Sequence, residues 1–269
     1  MKIKITLFLA ITCLIIASCG SDSKNSPLKN FDACSCATVQ DMSGADYKKC
    51  KEFRSDAKFE ADYQRCKIAA ASGIKDTSMI TLQKASEATN LKSAEAGSYS
   101  VTGTNSKITW YGEKITGKKH NGTIGLRSGT LTIADGKLSG EIVLDMTSIV
   151  VDDQTGEGKT KLENHLKSED FFSTSKFNDA KYVITSSVAT NAIQYDVKGN
   201  LTIKGITKEV PCNLVITPNM NNVNISGGFM FDRSQFDVRY GSDKFFDDLG
   251  DNMIRNEVIM VLDLKGTRN

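Results

Sequence analysis

The sequence carries almost no net charge. Its 34 Lys and Arg against 32 Asp and Glu leave +2, and the lysines are scattered instead of gathered in a block. A balance of that size gives no field to recruit nucleic acid. Catalytic signatures are missing as well. There is no Gly-x-Ser-x-Gly, no phosphate-binding loop and no Cys–His pair in a recognisable context. Histidine occurs twice and tryptophan once. Nothing at ligand spacing completes a zinc site around the histidines. No catalytic activity, no metal and no cofactor are expected. Long crossovers of the βα type are also absent, which disfavours a parallel sheet. The apolar run at 5–16 is too short, and wrongly flanked, for a membrane-spanning helix.

That run has the length of a signal peptide, and Lys2 and Lys4 give it a basic start. It ends Ile16-Ala-Ser-Cys19, which resembles the lipobox of bacterial lipoproteins. The resemblance implies that residues 1–18 are removed and that Cys19 is lipidated. Multiple acyl chains anchor a protein stably where one does not. Gly20, where an aspartate would favour inner-membrane retention, resembles an outer-membrane sorting signal. The low-complexity stretch Gly20-Ser-Asp-Ser-Lys-Asn-Ser26 suits a tether, placed at 19–30. The expected location is the envelope of a Gram-negative-type bacterium, at the outer membrane, through lipidated Cys19.

Export puts the remaining cysteines in an oxidising compartment. Four of them, Cys34, Cys36, Cys50 and Cys66, fall in a segment, 31–71, whose composition differs from the rest. From 41 to 71 it is rich in Lys, Glu, Asp and Ala with no proline, a helical composition. Neighbours in Cys-x-Cys rarely pair with each other, so two connectivities remain. A straight helix would set Cys50 and Cys66 about 24 Å apart. Cys34 and Cys36 are at most about 7 Å apart, and bridged Cα atoms lie within about 7 Å. The segment is therefore expected to be a helical hairpin, breaking near Ser55-Asp56 and stapled by two disulfides. Metal binding or redox chemistry is the functional alternative, although no Cys-x-x-Cys-His occurs and neither histidine lies here. Residues 72–97 read as a linker.

From 98 onward the apolar period changes from helical to two. Strands are predicted at 98–116, 122–133, 137–149, 180–189, 193–204, 209–217, 222–232 and 254–265. The clearest is 193–204, where Ile193, Tyr195, Val197, Leu201 and Ile203 share one face and polar residues the other. Turn signals such as Ala134-Asp-Gly136 separate the strands. Short connections between about eight strands favour an antiparallel barrel or sandwich. Two helical insertions are expected. Thr160-Lys-Leu-Glu163 matches a capping box with Thr160 as N-cap, and a second short helix is placed at 242–249. Their Phe-Phe pairs should pack under a loop or close a barrel end.

The motifs then form a pattern. Trp110-Tyr-Gly-Glu-Lys-Ile-Thr-Gly117 leads to His120-Asn-Gly122, Gly136-Lys-Leu-Ser-Gly140 and Asp145-Met-Thr-Ser-Ile149. Lys161-Leu-Glu-Asn-His-Leu-Lys-Ser-Glu-Asp-Phe-Phe172 and Gly199-Asn-Leu-Thr-Ile-Lys-Gly-Ile-Thr-Lys208 follow. In order and spacing they resemble the YceI-like family of bacterial lipid-binding proteins, from about Gly97 to the C-terminus. The resemblance implies a mainly β fold, an eight-stranded antiparallel lipocalin-like barrel at 98–269 around an apolar channel. It also implies binding of polyisoprenoid chains or other long-chain lipids and amphiphiles, without established catalysis. Two stretches depart from the family. Phe177-Asn-Asp-Ala-Lys-Tyr182 stands where Tyr-Pro-x-Ala-x-Phe is frequent, so Tyr182 brings a hydroxyl to an apolar place. Pro211, in Val210-Pro-Cys-Asn213, should lie at an edge or bulge.

An eight-stranded barrel can be filled by its own side chains or can hold one small ligand. The strand phases put Trp110, Leu144, Met146, Tyr182, Ile184, Tyr195, Val197, Leu201, Leu214, Phe229 and Phe231 on the inward face as candidate lipid contacts. Cys212 shares the phase of Val210 and Leu214 and reads as a buried thiol. His120 and His165 could hold a polar headgroup at one mouth or fasten the helix to the barrel. Asp232-Arg233 and Arg239-Tyr240 read as turn-fixing ion pairs, and Asp152-Asp153 as a loop pair without a visible partner. The expected function is non-catalytic binding, storage or transport of a long apolar ligand by a lipid-anchored envelope protein. The alternative is an envelope scaffold with a packed barrel, whose disulfide module binds a protein partner that the sequence does not identify.

Overall fold

The computed structural model describes residues 92–269 together with Cys36, Cys50, Glu52, Phe53, Tyr63 and Cys66. The expected signal peptide, lipobox and tether, most of the expected linker and the expected break near Ser55-Asp56 lie outside the described residues. Cys36 and Cys50 are helical and joined by a disulfide. That bond belongs to one of the two connectivities and excludes the other, which would join Cys36 to Cys66. Cys66 is disulfide-bonded too.

Eight antiparallel strands close into a barrel in chain order, the last paired with the first. They are β1 (Gly97–Glu113), β2 (Lys119–Ala134), β3 (Lys137–Val151), β4 (Asp179–Ala189), β5 (Gln194–Ile203), β6 (Ile206–Asn219), β7 (Asn222–Asp232) and β8 (Glu257–Arg268). Period-two patterning makes each strand two-faced, and closure turns every apolar face to one lumen while removing the sheet edges. In β5 the alternation is complete: Tyr195, Val197, Leu201 and Ile203 are buried, whereas Asp196, Lys198 and Asn200 are exposed. Pro211 fits without a bulge in its pairing with β5. The Ile216 amide bonds the Ile193 carbonyl, so alternate β6 amides face β5 and the nitrogen of Pro211 faces β7. Pairing with β7 starts only at Cys212. The missing donor therefore costs no ladder bond.

The connections divide the barrel into two ends. At one end the strands are joined tightly, at 135–136, 190–193 and 220–221. Asp135 and Gly136 both have positive φ, 51° and 70°, the primed hairpin geometry that Asp-Gly favours. The other end carries the long connections 152–178 and 233–256, besides the short 114–118 and 204–205.

The helix α1 (Gly156–Lys167) sits in the first long connection. It begins before the expected cap. Thr155 is the N-cap, and Thr160 lies inside the helix, its hydroxyl donating to the Gly156 carbonyl. Glu163 does not reach back to a cap; its carboxylate accepts the Val151 amide at 2.9 Å and ties the helix to the end of β3. The second predicted helix is not formed. Residues 242–249 hold a turn at 243–245, a bend at 247 and otherwise irregular backbone. The Ser242 carbonyl takes the amides of both Phe245 and Phe246, the Ser242 hydroxyl takes that of Lys244, and Asp248 has a positive φ of 57°. Local side-chain bonding competes successfully with a helix there.

Candidate ligand-binding site

The lumen is full at the tight-turn end and hollow at the end with the long connections. At the full end Tyr99, Ile216, Val223, Ile225 and Leu264 are each at most 4% exposed and belong to one core cluster. Gly266 is part of that packing: a Cβ there would meet Val223 at 2.7 Å. The hollow end holds a cavity of about 700 Å³, within the ~300–1,000 Å³ typical of small-molecule sites.

A stacked aromatic pair makes the floor. The rings of Tyr182 and Phe229 lie 5.1 Å apart and 18° from parallel. Phe229 lines the cavity, and Tyr182 lines a separate void of about 40 Å³ behind it, a volume for water-sized groups only. Gly199 is the reason the Tyr182 ring fits. A Cβ at 199 would stand 2.4 Å from that ring. The departure that brings a hydroxyl inward is satisfied, because Tyr182 donates to the Val210 carbonyl at 2.8 Å. Burial pushes the Tyr182 hydroxyl pKa far above its usual value, so the group stays a neutral donor.

The walls come from the mouth-side halves of the strands: Trp110, Ile124, Leu144, Met146, Leu201 and Met260. Trp110 donates through Nε1 to the Val150 carbonyl at 3.1 Å. Its indole lies over Gly122, where a Cβ would meet the ring at 2.8 Å and the Val150 oxygen at 1.8 Å. The roof is α1 with Leu162, His165 and Leu166, followed by Phe171 and Phe172. On the opposite lip stand Tyr240 and Phe246, about half exposed, which brings the cavity to the surface. Of the two Phe-Phe pairs, the first is buried within the roof and the second is exposed at 40% and 50%.

Of the candidate lipid contacts, Trp110, Leu144, Met146, Leu201, Phe229 and Phe231 border the hollow. Tyr182, Ile184 and Leu214 border the small void instead. Tyr195 and Val197 border neither; both are buried in the core cluster. Cys212 also faces the small void, and burial pushes its thiol pKa far up, so it behaves as an inert hydrophobe. The two histidines line the hollow together. His165 packs edge-on against Tyr240, 4.3 Å between centroids, and against Phe171 at 5.6 Å. His120 binds Asp153 through Nδ1 at 2.7 Å, which gives that carboxylate the partner the sequence hides. Burial tends to raise the Asp153 pKa, but bonds from the Asn121 amide and His120 outweigh it and hold the carboxyl below its usual range. Among the described residues no group of three potential ligands is placed to hold a metal.

Arg233 is the site residue that sequence reasoning missed. It forms no ion pair with Asp232, whose carboxylate instead accepts from the Ser234 amide and hydroxyl. The Arg233 side chain is buried, 1% exposed, and lines the cavity. It donates to the carbonyls of Arg255 (3.2 Å), Val238 (2.9 Å) and Ile254 (3.1 Å) and lies 5.4 Å from the Phe171 ring centre. Burial lowers its pKa to about 10, against the opposing pull of Asp232, Asp243 and Glu257. The guanidinium is still charged at neutral pH. Arg239 does form an ion pair in its turn, but with Asp237 at 2.5 Å and not with its neighbour Tyr240.

Residues 99–265 match the model of the YceI-like domain. The chain belongs to the YceI-like family. A curated relative, a UPF0312 protein of Pseudomonas fluorescens (strain SBW25), is 37% identical over 86 residues, 30% of this chain and 45% of the relative. The chain thus matches a little under half the length of that relative. Among solved structures, BcnA of Burkholderia cenocepacia aligns with a TM-score of 0.52 at 20% identity, covering 62% of this chain and 99% of BcnA. A polyisoprenoid binding domain from Saccharophagus degradans, implicated in plant cell wall breakdown, aligns at 0.50 with 16% identity, covering 65% and 100%. At these identities the two structures share the fold with this chain. The closed eight-stranded barrel that the family resemblance implied is the fold observed; the alternating strands alone left a barrel or a sandwich.

Proposed function

We propose that this YceI-like protein binds a long apolar ligand, a polyisoprenoid or another long-chain lipid, in the hollow end of its barrel, without catalysis. The observation that carries this is the cavity of about 700 Å³ walled by apolar side chains and floored by Phe229. Burial supplies the affinity. Each methylene removed from water contributes about 0.8 kcal/mol, so ten contribute ~8 kcal/mol before the cost of ordering protein and ligand. The polyisoprenoid binding domain of Saccharophagus degradans, which shares the fold, supports the ligand class. The signal peptide, the lipidated Cys19 and an outer-membrane location complete the proposal, as does a separate disulfide-linked helical segment ahead of a linker and the barrel. A lipid-anchored carrier of this kind would take its ligand from, or hand it to, the membrane beside it. Solvent extraction of the protein purified from its native membrane, read by mass spectrometry, tests the proposal. Near-stoichiometric recovery of one lipid class is expected. An extract without lipid, from protein that also fails to take up added lipid, would refute it.

A further inference from the structure

The mouth of the hollow is not neutral. Its charged lining residues are Lys114, Arg233, Arg255 and Glu113, besides the two histidines. All four converge on the backbone at 254–255. Lys114 pairs with Ile254 across an antiparallel bridge. The Arg255 amide donates to the Glu113 carbonyl at 2.8 Å, and Arg255 Nε stands 3.9 Å from Glu113 Oε1. Arg233 donates to the carbonyls of both Ile254 and Arg255. Glu113 offsets one of the three cations. Asp232, Asp243 and Glu257 act on Arg233 from nearby, but none of them lines the cavity. Along the lining itself, three cations thus meet one carboxylate in an otherwise apolar chamber. A charge beside a low-dielectric space is costly unless a counter-charge and hydrogen-bond acceptors come to it. Arg233 spends one bond on each of its three nitrogens, and a guanidinium has five N–H donors.

We propose that the ligand is a single-tailed amphiphile with an acidic head, carboxylate or phosphate, held at the mouth among Lys114, Arg233 and Arg255 with its tail on the Phe229 floor. This rests on the apolar-ligand proposal above and adds the sign of the head and the length of the tail. At about 30 Å³ per water-sized group, about 700 Å³ accommodates roughly twenty non-hydrogen atoms. That is a chain of fatty-acid length; a much longer chain would have to emerge at the Tyr240–Phe246 lip.

The test is displacement of a neutral probe, N-phenyl-1-naphthylamine, from the delipidated full chain by four competitors with the same sixteen-carbon tail. They are hexadecanoate, hexadecyl phosphate, hexadecanol and hexadecyltrimethylammonium. Both anions should compete about tenfold better than the alcohol, the scale of one charge-assisted hydrogen bond, and the cation should be weakest. Which anion is stronger separates a carboxylate from a phosphate head. Lys114→Gln should narrow the ratio of anion to alcohol by several-fold. Equal or better competition by the alcohol overturns the acidic head and leaves apolar binding standing. Failure of the probe and all four competitors to bind overturns both.

Discussion

At the tight-turn end of the barrel, Ile216 and Val223 are each 1% exposed and belong to the buried core cluster. At the mouth end, Ile124 and Leu144 are nearly as buried, at 7% and 4%, yet they face about 700 Å³ of unfilled space. Low exposure means different things in the two places. One residue is in contact on all sides, and the other is shielded by a roof built from α1, Phe171 and Phe172. The same eight strands run through both ends, so the difference comes from the connections. Turns of two to four residues draw the strand ends together over a core, whereas the long connections 152–178 and 233–256 stand over the lumen as a rim.

The sharpest way to break this contrast is to insert the same bulk at both ends. Ile225→Trp overfills the packed end and should cost about 1–3 kcal/mol or more in urea unfolding. Ile124→Trp enters the hollow and should cost clearly less. Equal losses would mean that the mouth end is packed as well. The partition between the ends should be sensitive to Gly199, since a Cβ there stands 2.4 Å from the Tyr182 ring. Gly199→Ala should cost about 1–3 kcal/mol, read from the same unfolding curves. The partner substitution is milder. Tyr182→Phe keeps the ring on Phe229 and removes the bond to the Val210 carbonyl, a loss of about 1 kcal/mol. A larger loss would show that the hydroxyl, and not the stacked ring, holds the floor.

The smallest effect is a pH dependence at the mouth. The Asp153 carboxyl is held below its ordinary value, so its contribution to stability is present above about pH 3.8, the reference value. It is lost as pH falls through the lowered folded-state value, where protonation removes the carboxylate that accepts from Asn121 and His120. Asp153→Asn should lower the unfolding midpoint at pH 6 and flatten its fall between pH 4 and pH 2. An unchanged acid profile in the variant would show that the pair with His120 adds nothing to the fold.

Faces were legible in the sequence and depth was not. Alternation places Leu201 and Tyr195 on the same side of β5, and both are indeed inward. It cannot say that Leu201 borders the hollow while Tyr195 lies in the packed end. Depth follows from which strand end a residue is near, and the connection lengths carried that signal: Leu201 is three residues from the mouth-side turn at 204–205, whereas Tyr195 adjoins the turn at 190–193. The role of Gly199 was hidden because it depends on a side chain of the neighbouring strand. Arg233 was hidden for a different reason. Next to Asp232 it looks like half of a surface pair, but the short 3-10 turn at Arg233–Phe236 rolls it inward, where carbonyls of 254 and 255 receive it. The capping box at Thr160 failed because Glu163 has a better use, the Val151 amide.

The claim that the hollow end is the ligand site is tested most directly by titrating N-phenyl-1-naphthylamine into the delipidated protein and its two tryptophan variants. Saturable one-to-one binding is predicted for the unaltered chain and for folded Ile225→Trp, with a loss of at least tenfold in affinity for Ile124→Trp. Unchanged affinity in Ile124→Trp would contradict it.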